Sequence, residues 1–360
     1  MNPEQHARLL LDQGIEMRAF DPPQALAILE HGRGLAEAAQ LPCLVLNFDR
    51  WRGIVLLFFR GMIADGIDVF VRALVEATKP QYERCQEKQH LQRLLGQAYL
   101  DYDPLGYESE IDALITLLDH LPADESMRDH WCLIQQMRTD LVLARRDFAR
   151  AKEQAYLYLA RCEDFKSPFR LADAHLTLTR IEARIGDMDA VLRHAQTASN
   201  YLAQFAVNAG LGMNLQALSW QTLACSALGD SKQASALEKQ VNHQVSTMKM
   251  GPSLPYYDAM CAYYEINGRY DYSLILRDRS LKGVIKGGSP YYQSECHLKR
   301  IRLLKKMGRP YHEDQRQFEE VAKKLKRPEY AYARLEEVTA DHHLLAVGAR
   351  ILRRWFGQGR

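Results

Sequence analysis

A turn signal recurs along this chain at a nearly constant interval, and that interval restricts the possible folds more than any other feature. Arg146-Asp147 leads "RRDFARAKEQAYLYLA" at 145–160, and the same place is held by Gly186-Asp187 in "ARIGDMDAVLRHAQTA" and Gly229-Asp230 in "SALGDSKQASALEKQV". Gly268-Arg269 in "EINGRYDYSLIL" and Gly308-Arg309 in "KKMGRPYHEDQRQF" continue the series, with steps of 40, 43, 39 and 40 residues. So regular a step marks a stack of repeated units, each burying a face that it cannot bury alone.

Each unit reads as two helices around a tight turn. Ser167-Pro168 and Ser289-Pro290 pair an N-cap with a proline at the first helical position, and each serine lies 19 residues before a turn glycine, Gly186 or Gly308. Pro42 stands at the same offset from Gly61. The glycine predicts a left-handed C-cap and the aspartate the next N-cap. Ala151, Ala155, Val191, Ala195, Ala198 and Ala234 place small residues where antiparallel helices must cross closely. Phe148, Met188 and Tyr270, two residues past the turn, are expected to fill the groove between helices. Apolar residues recur at three- and four-residue intervals, with no alternating strand pattern.

The stretches "RDFARA", "GDMDAV", "GDSKQA" and "GRYDYS", at the turn and the start of the second helix, resemble the tetratricopeptide-repeat (TPR) superfamily. The resemblance covers 125–310 clearly, and 42–124 more weakly through "RGMIADGIDVFVRALVEA". It departs from the family in its step, since the family repeat is about 34 residues, and in lacking most of the aromatic and Leu-Gly pair of the first helix. The longer step is similar to the long-helix repeats of bacterial regulators, such as the sensor region of MalT-type activators or the Rap-type peptide receptors. The resemblance implies an all-α fold, a right-handed superhelical α-solenoid of antiparallel helix pairs. Residues 1–41 read as N-terminal capping helices divided at Asp21-Pro22, 42–340 as the repeat domain, and 341–360 as a closing helix with Leu344, Leu345, Val347, Ile351, Leu352 and Trp355 on one stripe. "GVIKGGSP" at 283–290 reads as a flexible joint.

By resemblance, the concave groove is lined by Gln136, Asp140, Asp173, Arg180, Arg184, Gln216, Ser219, Ser226, Asp258, Glu265, Arg302, Lys305 and Lys306. The implied role is that of a non-enzymatic scaffold or adaptor holding a protein or peptide. Asp140 to Glu265 are expected to meet basic partner groups, and the last three acidic ones. A ligand- or peptide-responsive bacterial regulator is a second reading. A nucleic-acid-associated protein using its basic last third is the third. From Arg277 onward there are 20 Lys and Arg against 10 Asp and Glu, a net +10, leaving −8 for the rest of a chain whose total is +2. "HLKRIRLLKKMGRP" and "KKLKR" stand in that stretch as either a partner-binding patch or a solvated face.

Nothing in the sequence points to catalysis or a cofactor. There is no H-E-x-x-H, P-loop, G-x-S-x-G or G-x-G-x-x-G. His342 and His343 are adjacent, so a helix points them about 100° apart and no metal site is expected. Seven cysteines without C-x-x-C spacing predict free, buried thiols in a reducing cytoplasm. No apolar run reaches the roughly 18 residues of a membrane span, and the N-terminus does not read as a signal peptide. Tyr256, Tyr257, Tyr263, Tyr264, Tyr270, Tyr272, Tyr291 and Tyr292 fit either interhelical packing or a recognition surface.

Overall fold

The computed structural model describes residues 2–120, 128–204, 211–248 and 252–340, and these are all helix and connection. The helices are α1 (Pro3–Met17), α2 (Pro22–Ala38), α3 (Pro42–Ile54), α4 (Ile63–Glu76), α5 (Glu87–Tyr102) and α6 (Glu108–Asp119). Then come α7 (Arg128–Ala144), α8 (Phe148–Phe165), α9 (Pro168–Ile185), α10 (Met188–Leu202), α11 (Leu211–Ala227) and α12 (Ser231–Thr247). The last are α13 (Leu254–Ile266), α14 (Tyr270–Gly287), α15 (Pro290–Lys306), α16 (His312–Ala322) and α17 (Pro328–Thr339). The closing helix expected at 341–360, with His342 and His343, lies outside the described residues.

The turn signals fall where the repeat places them. Arg146, Gly186, Gly229, Gly268 and Gly308 all take left-handed backbone, with φ of 63°, 96°, 89°, 72° and 65°. Asp147, Asp187 and Asp230 then cap α8, α10 and α12 by accepting from the backbone N–H three residues on. Gly61 also closes its helix left-handed, at φ 66°. There the N-cap is Leu41, one residue further from the glycine than Ser167 is from Gly186, and Val55–Arg60 form a π-helical turn. A π turn takes up an extra residue within a helix of given length. The expected small residues are buried: Ala151, Ala155, Val191, Ala195 and Ala198 have no exposed surface and Ala234 has 2%.

Successive helices pack on one another, α12 and α13 mainly through the Tyr263 and Tyr264 hydroxyls on Glu238, and the odd-numbered helices α3, α5, α7, α9, α11 and α13 also touch one after another. Side-chain contacts repeat with the same step. Asp129–Arg170, Asp140–Arg180, Ser226–Asn267, Asp258–Lys299 and Glu295–Arg334 are separated by 41, 40, 41, 41 and 39 residues. These pairs tie neighbouring units together along the stack.

The solenoid then meets itself. α15 packs on α5, and the Ser289 hydroxyl donates to the Tyr102 carbonyl at 3.5 Å. Lys326 and Arg327 pair with Glu110 and Glu108 at 2.9 and 3.0 Å, and Arg146 pairs with Glu337 at 2.8 Å. Residues 283–290 are not a loose joint. α14 continues through Gly287, Gly288 is its left-handed cap, and the segment lies so close to Gly61 that a Cβ there would stand 2.6 Å from the Lys286 carbonyl oxygen.

The cysteines divide. Cys132, Cys162, Cys225, Cys261 and Cys296 are free and buried as expected. Cys43 and Cys85 instead form a disulfide, 42 residues apart, and Cys43 is exposed. Their spacing is one repeat step, which brings α3 and the segment leading into α5 side by side.

Candidate functional site: the central cavity

With α15 packed on α5, the concave face curves around a partly open cavity of about 710 Å³, within the size range of small-ligand pockets. Eight of the thirteen residues expected in the groove line it: Gln136, Asp140, Asp173, Arg180, Arg184, Gln216, Asp258 and Arg302. They come from α7, α9, α11, α13 and α15, so the repeat register directs them to one space.

The other five do not line it. Ser219 is fully buried and donates to the Leu215 carbonyl at 2.6 Å, which makes it part of the helix packing. Ser226 accepts from Asn267 Nδ2 at 2.9 Å. Glu265 accepts from Ser273 and Arg277 at 2.9 and 3.1 Å. Lys305 reaches away to the end of α17, donating to the carbonyls of Thr339 and Ala340 at 2.8 and 2.9 Å, where a cation meets the negative end of the helix dipole. The Lys306 ammonium lies 4.9 Å from the centre of the Tyr270 ring.

Much of the basic last third is occupied by acidic partners within the molecule. Lys299 binds Asp258 at 2.6 Å, Arg300 binds Asp314 at 2.7 Å, and Arg309 binds Asp271 at 2.9 Å. The Lys299–Asp258 and Arg309–Asp271 pairs, with those of Lys326 and Arg327 across the closure, join the basic third to carboxylates of the rest of the chain, while Arg300–Asp314 lies within the basic third.

The cavity has an acidic and a basic part. Asp140 and Asp173 stand by Arg180, whose Nη2 is 3.3 Å from Asp140 Oδ1, and Asp101 lies near Asp140. Burial, with Asp140 nearby, pushes the Asp101 carboxyl up to about 7, and burial raises Asp140 as well. Asp173 accepts from the hydroxyl of the fully buried Tyr158 at 2.7 Å. In the other part, burial pushes the Asp258 carboxyl up, but Lys299, Arg184 and Arg277 outweigh it and hold it at about 2. Arg146, Arg184, Arg302 and Arg334 stand there together. Burial and the neighbouring Arg146, Arg184 and Arg277 lower the Arg302 guanidinium.

Asp101, Glu295 and Arg334 line the cavity without having been singled out in the sequence, whereas Arg146 was read only as a turn residue, Tyr291 and Tyr292 as either packing or a recognition surface, and Lys299 as part of the basic run. Arg146 carried a signal, since it occupies a turn position otherwise held by glycine. Asp101 and Arg334 lie where the repeat motif is weak. The tyrosines separate by place. Tyr263 and Tyr264 are buried with both hydroxyls on Glu238 at 2.9 Å, Tyr272 is exposed beside Arg269, and Tyr291 and Tyr292 line the cavity.

Among the described residues there is no cluster of three or more His, Cys, Asp or Glu placed to hold a metal, and no helix long and apolar enough to cross a membrane. No family model and no curated protein matches the chain. Solved structures do match in shape. A Rap protein complexed with Competence and Sporulation Factor aligns over 93% of this chain and 99% of its own, at 11% identity and a TM-score of 0.55. The apo form of RapI aligns over 84% and 98%, at 10% identity and a TM-score of 0.51. The chain has the long-repeat, TPR-like fold. At these identities the likeness is one of architecture.

Proposed function

We propose that this protein is a non-enzymatic receptor of regulatory type that takes a short peptide, or a short segment of a protein, into its central cavity. The observation that carries the proposal is the cavity itself: polar side chains from successive repeats converge on a space of about 710 Å³ with both acidic and basic parts. Side chains on rigid stacked helices hold fixed positions, so a ligand touching several of them is recognised at many points. A peptide backbone with charges of both signs matches such a lining. The Rap protein solved with Competence and Sporulation Factor supports the reading as a relative in fold.

A regulator that responds to its ligand is the finer form of the same proposal, and the closure of α5 and α6 on α15 and α17 favours it. A cavity bounded by α5 on one side and by α15 and α17 on the other links occupancy to how these helices meet. Nucleic acid is disfavoured by the internal pairing of the basic residues.

The test is capture. The purified full-length protein is incubated with the peptide fraction of an extract of its own cells, and retained peptides are read by mass spectrometry. Enrichment of defined short peptides, lost when Asp140 and Gln216 are replaced by Ala, is the expected result. No peptide enriched above that double variant would refute the proposal.

A further inference from the structure

The arginines in the basic part of the cavity are not equally partnered. Arg146 has Glu337 at 2.8 Å, Arg184 has Asp258 at 3.5 Å, and Arg334 is paired with Glu295. Arg302 has no hydrogen bond or ion pair among the described residues. Glu265, the carboxylate that eases it, is itself bound to Arg277 and Ser273. Arg302 is exposed to the cavity and surrounded by like charge. These groups come from four separate elements: the turn after α7, the last turn of α9, α15 and α17. Their convergence is set by the superhelix and not by one basic run.

We propose that Arg302, flanked by Arg146, Arg184 and Arg334, is the subsite for one carboxylate group of the ligand that enters the cavity. The proposal rests on the reading of the cavity as the binding site and names one of the groups it recognises. Repulsion among guanidinium groups is relieved by an anion placed between them. The planar fork of a guanidinium matches a carboxylate with two parallel hydrogen bonds. Lys299 and Arg277 share Asp258 with Arg184, so Arg146, Arg184, Arg277, Lys299, Arg302 and Arg334 outnumber Asp258, Glu265, Glu295 and Glu337 by two. The excess charge favours an anion, the planar match to the guanidinium fork favours a carboxylate, and the phosphate arm of the experiment tests that choice. A chain-terminal carboxylate or an acidic side chain of a short peptide supplies that group.

The experiment uses the full-length protein and three probes: N-acetylphenylalanine, its uncharged amide, and inorganic phosphate. Binding is read by calorimetry on wild type, Arg302→Gln and Arg302→Lys, with helical circular dichroism confirming that each variant is folded. The expected result is binding of N-acetylphenylalanine that weakens about tenfold or more in Arg302→Gln and less in Arg302→Lys, with the amide and phosphate weaker than the carboxylate. No binding of N-acetylphenylalanine up to about 10 mM overturns the proposal. So does equal binding of acid and amide, tighter binding of phosphate, or an Arg302→Gln variant that binds like wild type. The peptide capture experiment separates the two readings. If captured peptides bind wild type and Arg302→Gln equally, the carboxylate subsite fails and the receptor stands. If no peptide is captured but N-acetylphenylalanine binds through Arg302, the subsite stands and the peptide reading fails.

Discussion

The backbone N–H of Lys326 donates to Asp103 Oδ2 at 2.8 Å across 223 residues of chain. The other oxygen of the same carboxylate accepts from the Gly106 N–H at 3.0 Å, and Asp103 is only 3% exposed. One buried side chain therefore holds the turn after α5 and fastens the far end of the stack to it.

Asp103→Ala should destabilise the fold by about 1–3 kcal/mol, because it leaves two backbone donors without their acceptor in a buried place. Urea unfolding measures this, and small-angle scattering should show a larger radius of gyration if the ends part. Arg316→Ala, which removes only the exposed pair with Glu313, should leave both measurements unchanged. A wild-type midpoint and radius in Asp103→Ala would mean that the packing of α15 on α5 holds the closure without it.

Ala195→Leu should cost about 1–3 kcal/mol through overpacking. Ala195 has no exposed surface and packs with Val191, Leu215 and Trp220 where α10 meets α11. Thermal or urea unfolding reads the effect, and an unchanged midpoint would mean that the crossing has room for the larger side chain.

The repeat was legible because it is local. Turn, cap and small crossing residue all lie within a few positions of one another, so even Arg146 is placed correctly by register without a glycine. The groove residues Asp140, Arg180 and Asp258 followed from the resemblance to the TPR pattern. The closure was not legible, because the meeting of α5 with α15 depends on twist accumulated over several units, which no short stretch encodes. Its one trace in the sequence was the division of charge between the last third and the rest. Much of that charge belongs to pairs within the molecule, while Lys305 turns to the carbonyls at the end of α17 and Lys306 to the Tyr270 ring rather than joining Arg302 in the cavity. The Cys43–Cys85 bridge had a trace as well, a separation of one repeat step.

Stability should fall as the pH is lowered from about 6.5 toward 4. Burial, reinforced by a second imidazole, holds His90 and His175 down to about 4, and burial with the nearby Arg93 does the same to His130. His90 and His130 are in contact at 2.7 Å, and His175 and His194 at 3.0 Å. Unfolded imidazoles take up protons near pH 6.5, while the folded ones resist until about 4. The unfolded state therefore binds more protons in that window and is favoured as protons are added. Asp101, held at about 7, acts in the opposite sense, since it is protonated in the fold where the unfolded carboxyl is already ionised. His194, also lowered by burial, adds to the three imidazoles, and Asp140 and Asp49, raised by burial, add to Asp101. The imidazoles, more numerous and with the unfolded state taking up protons at about pH 6.5, leave a net loss. The melting temperature should drop between about pH 6.5 and pH 5, and less steeply in His130→Gln. A flat or rising profile over that interval would contradict the assignment of these imidazoles as buried and neutral.

Arg302 and Lys305 lie three residues apart on α15, yet their replacements should move stability in different directions. Lys305 donates to carbonyls at the end of α17, so Lys305→Met should lower stability by about 1–2 kcal/mol through loss of charged hydrogen bonds and a favourable dipole contact. Arg302 makes no such bond and is repelled by Arg146, Arg184 and Arg277. Removing its charge relieves that repulsion, so Arg302→Gln should leave the melting temperature unchanged or raise it. Residues set for a ligand commonly stand in such locally unfavourable arrangements, where stability is given up to function. Differential scanning calorimetry of the two single variants distinguishes these roles. Equal losses in both would make Arg302 a structural residue of α15 and remove the electrostatic basis for an anion beside it.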